Sequence, residues 1–375
     1  MNPERTFEHA LAHIRRALRD RVTPGAQLSV AFRKQNHWHR ANFALGHQSY
    51  DPDAPRVTEA TLYDLASVTK AIVALAFVRV ADRERFALTE PARALWIESN
   101  RTRYGEATVD ALLSHRANLA AWKPLFAKVK AIEAGTESAR SVCLETLLQT
   151  PGEPWGGQVC YSDLGYITVG MALEALAKES LSQVILHEII APLGLSSDAL
   201  VYRPVIEGHS APWALACAPT EACAWRDRVV HGQVHDENAF ALGGVCGHAG
   251  LFGTAQTLCD VGVATLDALA NRERAWLSAV RVESMIAARP GGSHRLGWDG
   301  KSAQGSSAGT RASARTFGHL GFTGTMLWCD PDAEVAVALV TNRVHPTREN
   351  QGIRTLRPLV MDAVLHACAA PLGGG

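Results

Sequence analysis

The chain has 375 residues, 47% of them hydrophobic and 20% charged, and its 37 basic residues cancel 37 acidic ones. That balance fills a substantial core, so disorder, collagen and coiled coil are excluded as descriptions of the whole. A neutral total gives no electrostatic footprint for nucleic acid or an anionic membrane surface, and the expected partner is a small molecule.

In chain order, Phe7, Leu11, Ile14 and Leu18 recur at helical spacing over residues 4–21, and Pro24-Gly25 ends that helix. Residues 27–33 alternate, with Leu28, Val30 and Phe32 on one side, which reads as a strand. Lys34-Gln35-Asn36 turns it, and residues 37–46 return as its hairpin partner. Helical periods dominate the middle, at 62–81, 109–113, 144–148, 166–177 and 181–190, whereas 198–245 reads as loop with Pro204, Pro212 and Pro219. Strand patterns reappear at 323–328 and 334–341 around Asp330-Pro331-Asp332, and 353–370 closes the chain as an apolar-faced helix.

Helix–hairpin at one end and hairpin–helix at the other imply one antiparallel sheet built from both termini and covered by helices, an α+β class. The expected division is a discontinuous α/β domain at 1–60 plus 245–375, with an inserted, mainly helical domain at 61–244 that ends in a cleft-bordering loop. A site is expected where the two meet. No window approaches the roughly 18 apolar residues of a membrane span, and the first residues lack the apolar run of a secretory signal. A cytoplasmic protein, with a monomer favoured and no membrane partner, is the expectation. Eight scattered cysteines without a Cys-x-x-Cys pair read as free, mostly buried thiols.

The strongest local signal is Ser67-Val68-Thr69-Lys70, directly before the apolar run 71–78. Ser67 sits where a helix starts, so backbone N–H groups and the positive dipole end face its oxygen. Lys70 lies one turn deeper on the same face, at the mouth of a helix apolar all round. Lost hydration and the dipole both predict a lowered lysine pKa, and a neutral amine beside a serine hydroxyl activates a nucleophile. The bland alternative is a capping serine and a snorkelling lysine. Two further segments carry polar chemistry: Tyr161-Ser162-Asp163, on a turn before the 166–177 helix, and His319-Leu320-Gly321, read as opening the strand through Thr323 to Trp328. A strand edge beside a serine offers a backbone N–H to a developing oxyanion.

His231-Gly232-Gln233-Val234-His235-Asp236 places two histidines four apart beside a carboxylate. Zinc needs ligand number and geometry together, and Gly232 and Glu237-Asn238 argue against the helix that would align the pair. The segment reads as hydrogen-bonded loop, with His248 and Gly250 as turn elements of the same wall, and neither metal nor cofactor is expected.

In order and spacing, Ser67-x-x-Lys70, Tyr161-Ser162-Asp163 and His319-Leu320-Gly321 together resemble the signature of the serine β-lactamase and penicillin-recognising enzyme family, most closely its class C branch of β-lactamases, D-alanyl-D-alanine peptidases and family VIII esterases. The resemblance runs from about Gly25 to Leu365 and includes Leu113-Ser114-His115, Gly247 to Phe252 and Gly318 to Gly324. It implies that Ser67 is acylated, that Lys70 and Tyr161 share proton shuttling, and that His319 replaces the third-motif lysine. The N–H groups of Ser67 and Phe322 would form the oxyanion hole. Asp163 replaces the usual Asn and Leu320 the usual Thr, so a negative charge and a lost hydroxyl are expected beside the acyl site, with Gly321 in the same substrate-binding strand. Asn342-Arg343 is then the candidate anion contact, against a solvated surface pair. An esterase acting on a small acyl substrate is favoured over a β-lactamase or peptidase. The alternative of another class is a catalytically weak module that binds acyl compounds.

Overall fold

The computed structural model describes residues 3–152, 159–203, 216–272 and 276–370. Both chain ends enter one six-stranded antiparallel sheet, in the order His37–Gly46, Gly25–Lys34, Val335–Thr341, Met326–Asp330, Phe317–Leu320, Asp299–Gly300. The terminal hairpins are joined at the centre, where Leu28 pairs with Leu339 and Val30 with Val337.

The two faces of this sheet are covered differently. On the outer face, the Glu8–Arg19 and Ile353–Ala369 helices pack together over Leu28, Val30, Met326, Trp328, Val337 and Leu339. On the inner face, the Ala255–Leu269 helix lies against the central strands, and the Val68–Arg83 helix, buried without interruption from Val68 to Val78, meets the Phe317–Leu320 strand. Apolar residues on all sides leave that helix no solvated face, which is why it ends up at the centre of the larger core.

Several local expectations are corrected. The helical period read from residue 62 begins later: Tyr63–Asp64 is a short strand paired with Leu251–Gly253, and the helix starts at Val68. The strand read through 323–328 is broken by a turn at 321–325, so His319 sits on its own strand, opposite Leu327. The stretch read as loop contains the short strands Leu200–Tyr202, Ala222–Cys223 and Arg228–Val229 and a capped helix, Glu237–Ala241; Pro204 and Pro212 lie outside the described residues. Helices Ala255–Leu269 and Ala279–Ile286 occupy a stretch to which the sequence reading assigns no element. Seven of the eight cysteines are buried, and Cys160 is half-buried. Among the described residues no helix is long and apolar enough to cross a membrane.

Candidate active site

Ser67 is the N-cap residue of the Val68–Arg83 helix, yet its side chain makes no capping hydrogen bond. The hydroxyl instead accepts from Lys70 Nζ at 2.8 Å. The residue before it, Ala66, has φ 46°, a left-handed conformation that costs a non-glycine residue about 1 kcal/mol or more and is held only where the surroundings over-determine it. Those surroundings are visible. Buried Asp64 accepts from the Ala66 and His235 N–H groups, and Leu65 N–H donates to the Leu251 carbonyl.

Lys70 is fully buried: Nζ donates to Ser67 Oγ and to the His248 carbonyl at 3.1 Å, and it forms an ion pair with Asp163 Oδ1 at 2.7 Å. Burial works to lower its pKa, but the Asp163 charge, then Tyr161, overcome this and hold it above the ordinary lysine value. This corrects the expected neutral amine: the Asp163 carboxylate, expected beside the acyl site, lies against the ammonium. Asp163 therefore faces Lys70, and its negative charge is neutralised there.

The Tyr161-Ser162-Asp163 turn is clamped from below. Ser162 N–H donates to His115 Nδ1 at 3.0 Å, Ser162 Oγ to the Ala120 carbonyl and Asp163 N–H to the Ala121 carbonyl, while Ser162 Oγ caps the Asp163–Ala177 helix. The Tyr161 ring then lies 4.9 Å from Lys70 Nζ. Its hydroxyl pKa is raised by burial, against the Lys70 charge and side-chain hydrogen bonds to Lys70 and Ser67, so the phenol is protonated at rest.

Three histidines surround Tyr161, with ring centroids at 4.4 Å for His115, 5.3 Å for His294 and 6.2 Å for His319. Burial lowers the pKa of all three, that of His319 to about 3, with nearby Lys70 adding to the effect. A carbonyl only accepts, so the 2.9 Å contact from His319 Nδ1 to the Leu320 carbonyl puts the proton on Nδ1 and leaves Nε2 as an acceptor. Sequence reasoning missed His294, whose local sequence, Gly291-Gly292-Ser293, carries no signal.

The third segment is pinned to the first. Thr323 Oγ1 donates to the Asp64 carbonyl at 2.7 Å and Thr325 Oγ1 to the Leu65 carbonyl at 2.9 Å, which brings the 321–325 turn against the start of the serine helix. Gly321 is required by this approach: a Cβ there would sit 2.0 Å from Thr325 Oγ1 and 2.4 Å from the Leu65 carbonyl. Buried Arg357 donates to the Gly321 and Thr325 carbonyls from the outer layer. Among the described residues, the N–H groups of Ser67 and Phe322 donate to nothing, so both remain available to a substrate oxygen. The half-exposed Phe322 ring stacks on His235 and lies under Arg343.

Two expected substrate contacts are corrected. Leu320 pairs with Met326 and packs against the outer cluster, because side chains alternate along a strand and His319 takes the inner face. Asn342 and Arg343 are buried, neither solvated nor free: Asn342 Nδ2 donates to the Gln48 and Pro219 carbonyls, and Arg343 to those of Phe322, Arg348 and Asn350. His231 and His235 diverge to separate partners, the Cys217 carbonyl and Glu221. Among the described residues no three His, Cys, Asp or Glu side chains are grouped to hold a metal. His248 is more than a turn element, since its ring forms a buried 2.9 Å ion pair with Asp236 while its carbonyl holds Lys70.

A profile of the family described as Beta-lactamase matches residues 10–361. A protein of Escherichia coli O157:H7 named "Putative D-alanyl-D-alanine carboxypeptidase" is 29% identical over 312 residues, 77% of this chain and 71% of that one. Among solved structures, "EstCE1, a hydrolase with promiscuous acyltransferase activity" superposes with a TM-score of 0.74 at 19% identity, over 96% of this chain and 99% of that one. Simvastatin synthase (LovD) of Aspergillus terreus gives 0.69 at 17% identity, over 97% and 98%. The chain belongs to the beta-lactamase family of serine hydrolases, and the expected α+β fold, an antiparallel sheet covered by helices, is that of these neighbours.

Proposed function

We propose that this member of the beta-lactamase family hydrolyses small, neutral acyl esters through an acyl-Ser67 intermediate. The observation that carries the reading is the 2.8 Å hydrogen bond between Lys70 Nζ and a Ser67 hydroxyl that is spent on no cap. Ser67 attacks the carbonyl, Lys70 and Tyr161 move the proton, and the N–H groups of Ser67 and Phe322 receive the oxyanion. Each such donor is typically worth about 3–4 kcal/mol of barrier.

The charges around the serine favour a neutral substrate. Lys70 is paired with Asp163, His319 is neutral where relatives carry a lysine, and Arg343 is spent on backbone carbonyls. A substrate carboxylate finds no unpaired cation among these groups, and a hydrogen bond to a charged group is worth about 1.5–3 kcal/mol. The second reading, a D-alanyl-D-alanine carboxypeptidase, is favoured by the name of the Escherichia coli relative. Mass spectrometry after a fluorophosphonate probe is expected to find the adduct on Ser67. Parallel assays of p-nitrophenyl esters, a chromogenic cephalosporin and a peptide ending in D-Ala-D-Ala, each on wild type and Ser67→Ala, separate the readings. Faster release of D-alanine than of p-nitrophenol would overturn the esterase in favour of the peptidase. A protein that binds these compounds without turnover would be a binding module.

A further inference from the structure

We propose that Asp163 is the proton reservoir of acylation, acting through Lys70: it takes up the Ser67 proton by way of the ammonium it holds and returns it to the leaving group. The inference rests on the acyl-Ser67 reading above and concerns how that site manages its proton.

Geometry sets the problem. The His248 carbonyl and the Asp163 carboxylate have no hydrogen to give: Nζ donates to that carbonyl and to Ser67 Oγ, and the Asp163 charge at 2.7 Å holds it as an ammonium. A lysine so placed has no lone pair with which to take the serine proton. It gains one only by passing a hydrogen on. Of its contacts, the carbonyl is a far weaker base than the carboxylate, so the hydrogen goes to Asp163, whose buried Oδ1 accepts no hydrogen bond at rest and lies 2.7 Å from Nζ.

The other groups that face Lys70 leave this role unfilled. Tyr161 and Tyr166, whose rings lie 4.9 and 5.8 Å from Nζ, are protonated because burial raises both. His115, His294 and His319 are uncharged, and none of them hydrogen-bonds Nζ. The His248 ring is already an imidazolium, committed to Asp236. Asp163 is the carboxylate in contact with the ammonium.

The step balances without a co-reactant. The Ser67 Oγ–carbon bond forms and the carbonyl π pair becomes the oxyanion. As this occurs, the serine hydrogen moves to Lys70 Nζ and a lysine hydrogen moves to Asp163, leaving an ammonium and a carboxylic acid. On collapse, the bond from carbon to the leaving oxygen breaks and that oxygen takes one proton through Lys70 or the Tyr161 hydroxyl. The Asp163 proton refills the donor and the carboxylate is restored. Water repeats the cycle in deacylation.

The test is the pH dependence of kcat/KM for a p-nitrophenyl ester in wild type, Asp163→Asn and Asp163→Glu. Wild type is expected to show a plateau through neutral pH. Asp163→Asn keeps the shape but removes the reservoir, so Lys70 has to lose its proton to solvent first. The variant is expected to be at least tenfold slower at pH 7, with a limb rising toward wild-type rates at alkaline pH, and Asp163→Glu to restore the plateau. An Asp163→Asn profile of wild-type shape, at the same rate or uniformly lowered, overturns the inference. Should Asp163→Asn fail to fold, a proton inventory of wild type in H2O–D2O mixtures decides: a curved, two-proton inventory supports the relay and a linear one overturns it. Fluorophosphonate labelling keeps the two claims apart. An adduct on Ser67 with an unchanged Asp163→Asn profile sinks only the reservoir, whereas retained activity in Ser67→Ala sinks the acyl-enzyme reading itself.

Discussion

Two walls of the cleft hold buried histidines beside the same lysine, neutral on one wall and cationic on the other. On the tyrosine wall, His115 and His319 are neutral, His319 with a pKa lowered to about 3. On the opposite wall, burial acts on His248 in the same direction, but the Asp236 carboxylate overturns it and raises the pKa to about 10. A single partner at 2.9 Å makes the difference. His319 spends Nδ1 on a carbonyl, a dipole without net charge, and His115 Nδ1 accepts from an N–H. Lys70 repeats the rule between them, since burial works to lower its pKa and the Asp163 charge helps hold it above the ordinary lysine value. In this site, the location of a charge is decided by which buried base has a carboxylate in contact.

The sharpest way to break the contrast is to remove that carboxylate. Asp236→Asn leaves His248 buried without a counter-charge, and truncating one partner of a buried ion pair costs about 3–5 kcal/mol. Urea unfolding at pH 7 is expected to show a loss of that size, together with slower ester hydrolysis because the His248 carbonyl no longer seats Lys70. A loss below about 1 kcal/mol would mean that the pair is not charged in the fold.

Gly321→Ala attacks the junction of the two walls. The added Cβ would meet the Leu65 carbonyl at 2.4 Å, so the 321–325 turn has to withdraw from Ser67. Misplacement by about 1 Å costs roughly 100-fold in rate, and the fall is expected in kcat, with wild-type circular dichroism.

The walls also predict opposite limbs in the pH dependence of stability. The folded pKa of His248 lies above its unfolded value, so its contribution is complete below about pH 6.5 and is lost as pH rises toward 10. That of His319 is depressed, so its contribution is present above about pH 6.5 and is lost as pH falls toward 3. Unfolding free energies are expected to decline on both sides. His248→Gln should flatten the alkaline side and His319→Gln the acid side; a variant that flattens the wrong side, or neither, removes the contrast.

The smallest effect is expected at Leu320. Its side chain packs on the outer layer, so Leu320→Thr should change the ester-to-cephalosporin ratio of kcat/KM by less than about threefold while costing some stability through lost apolar contact. A tenfold shift toward the cephalosporin would place this residue at the cleft after all.

Much of the architecture was legible because it depends on patterns that survive without neighbours. The 25–46 hairpin declares itself by alternation around Lys34-Gln35-Asn36, and the terminal helices by apolar spacing. The buried helix after Ser67 follows from a run with no polar face. The short strand at Tyr63–Asp64 was not legible, because two residues carry no period and only pairing with Leu251–Gly253 makes them a strand.

The sequence by itself determined which residue types were available: a serine one turn from a lysine at the mouth of a buried helix, then a tyrosine turn and a histidine strand in order. Tertiary structure alone decided their charges and their faces. It brought Asp163, ninety-three positions away in the chain, to 2.7 Å from Lys70 and so reversed the expected loss of charge. It turned Leu320 outward and His319 inward, and it spent Asn342 and Arg343 on backbone carbonyls. The physical reason is that a buried group's protonation and orientation depend on desolvation and on contacts within a few ångströms, and those distances exist only once the sheet has closed over the helices.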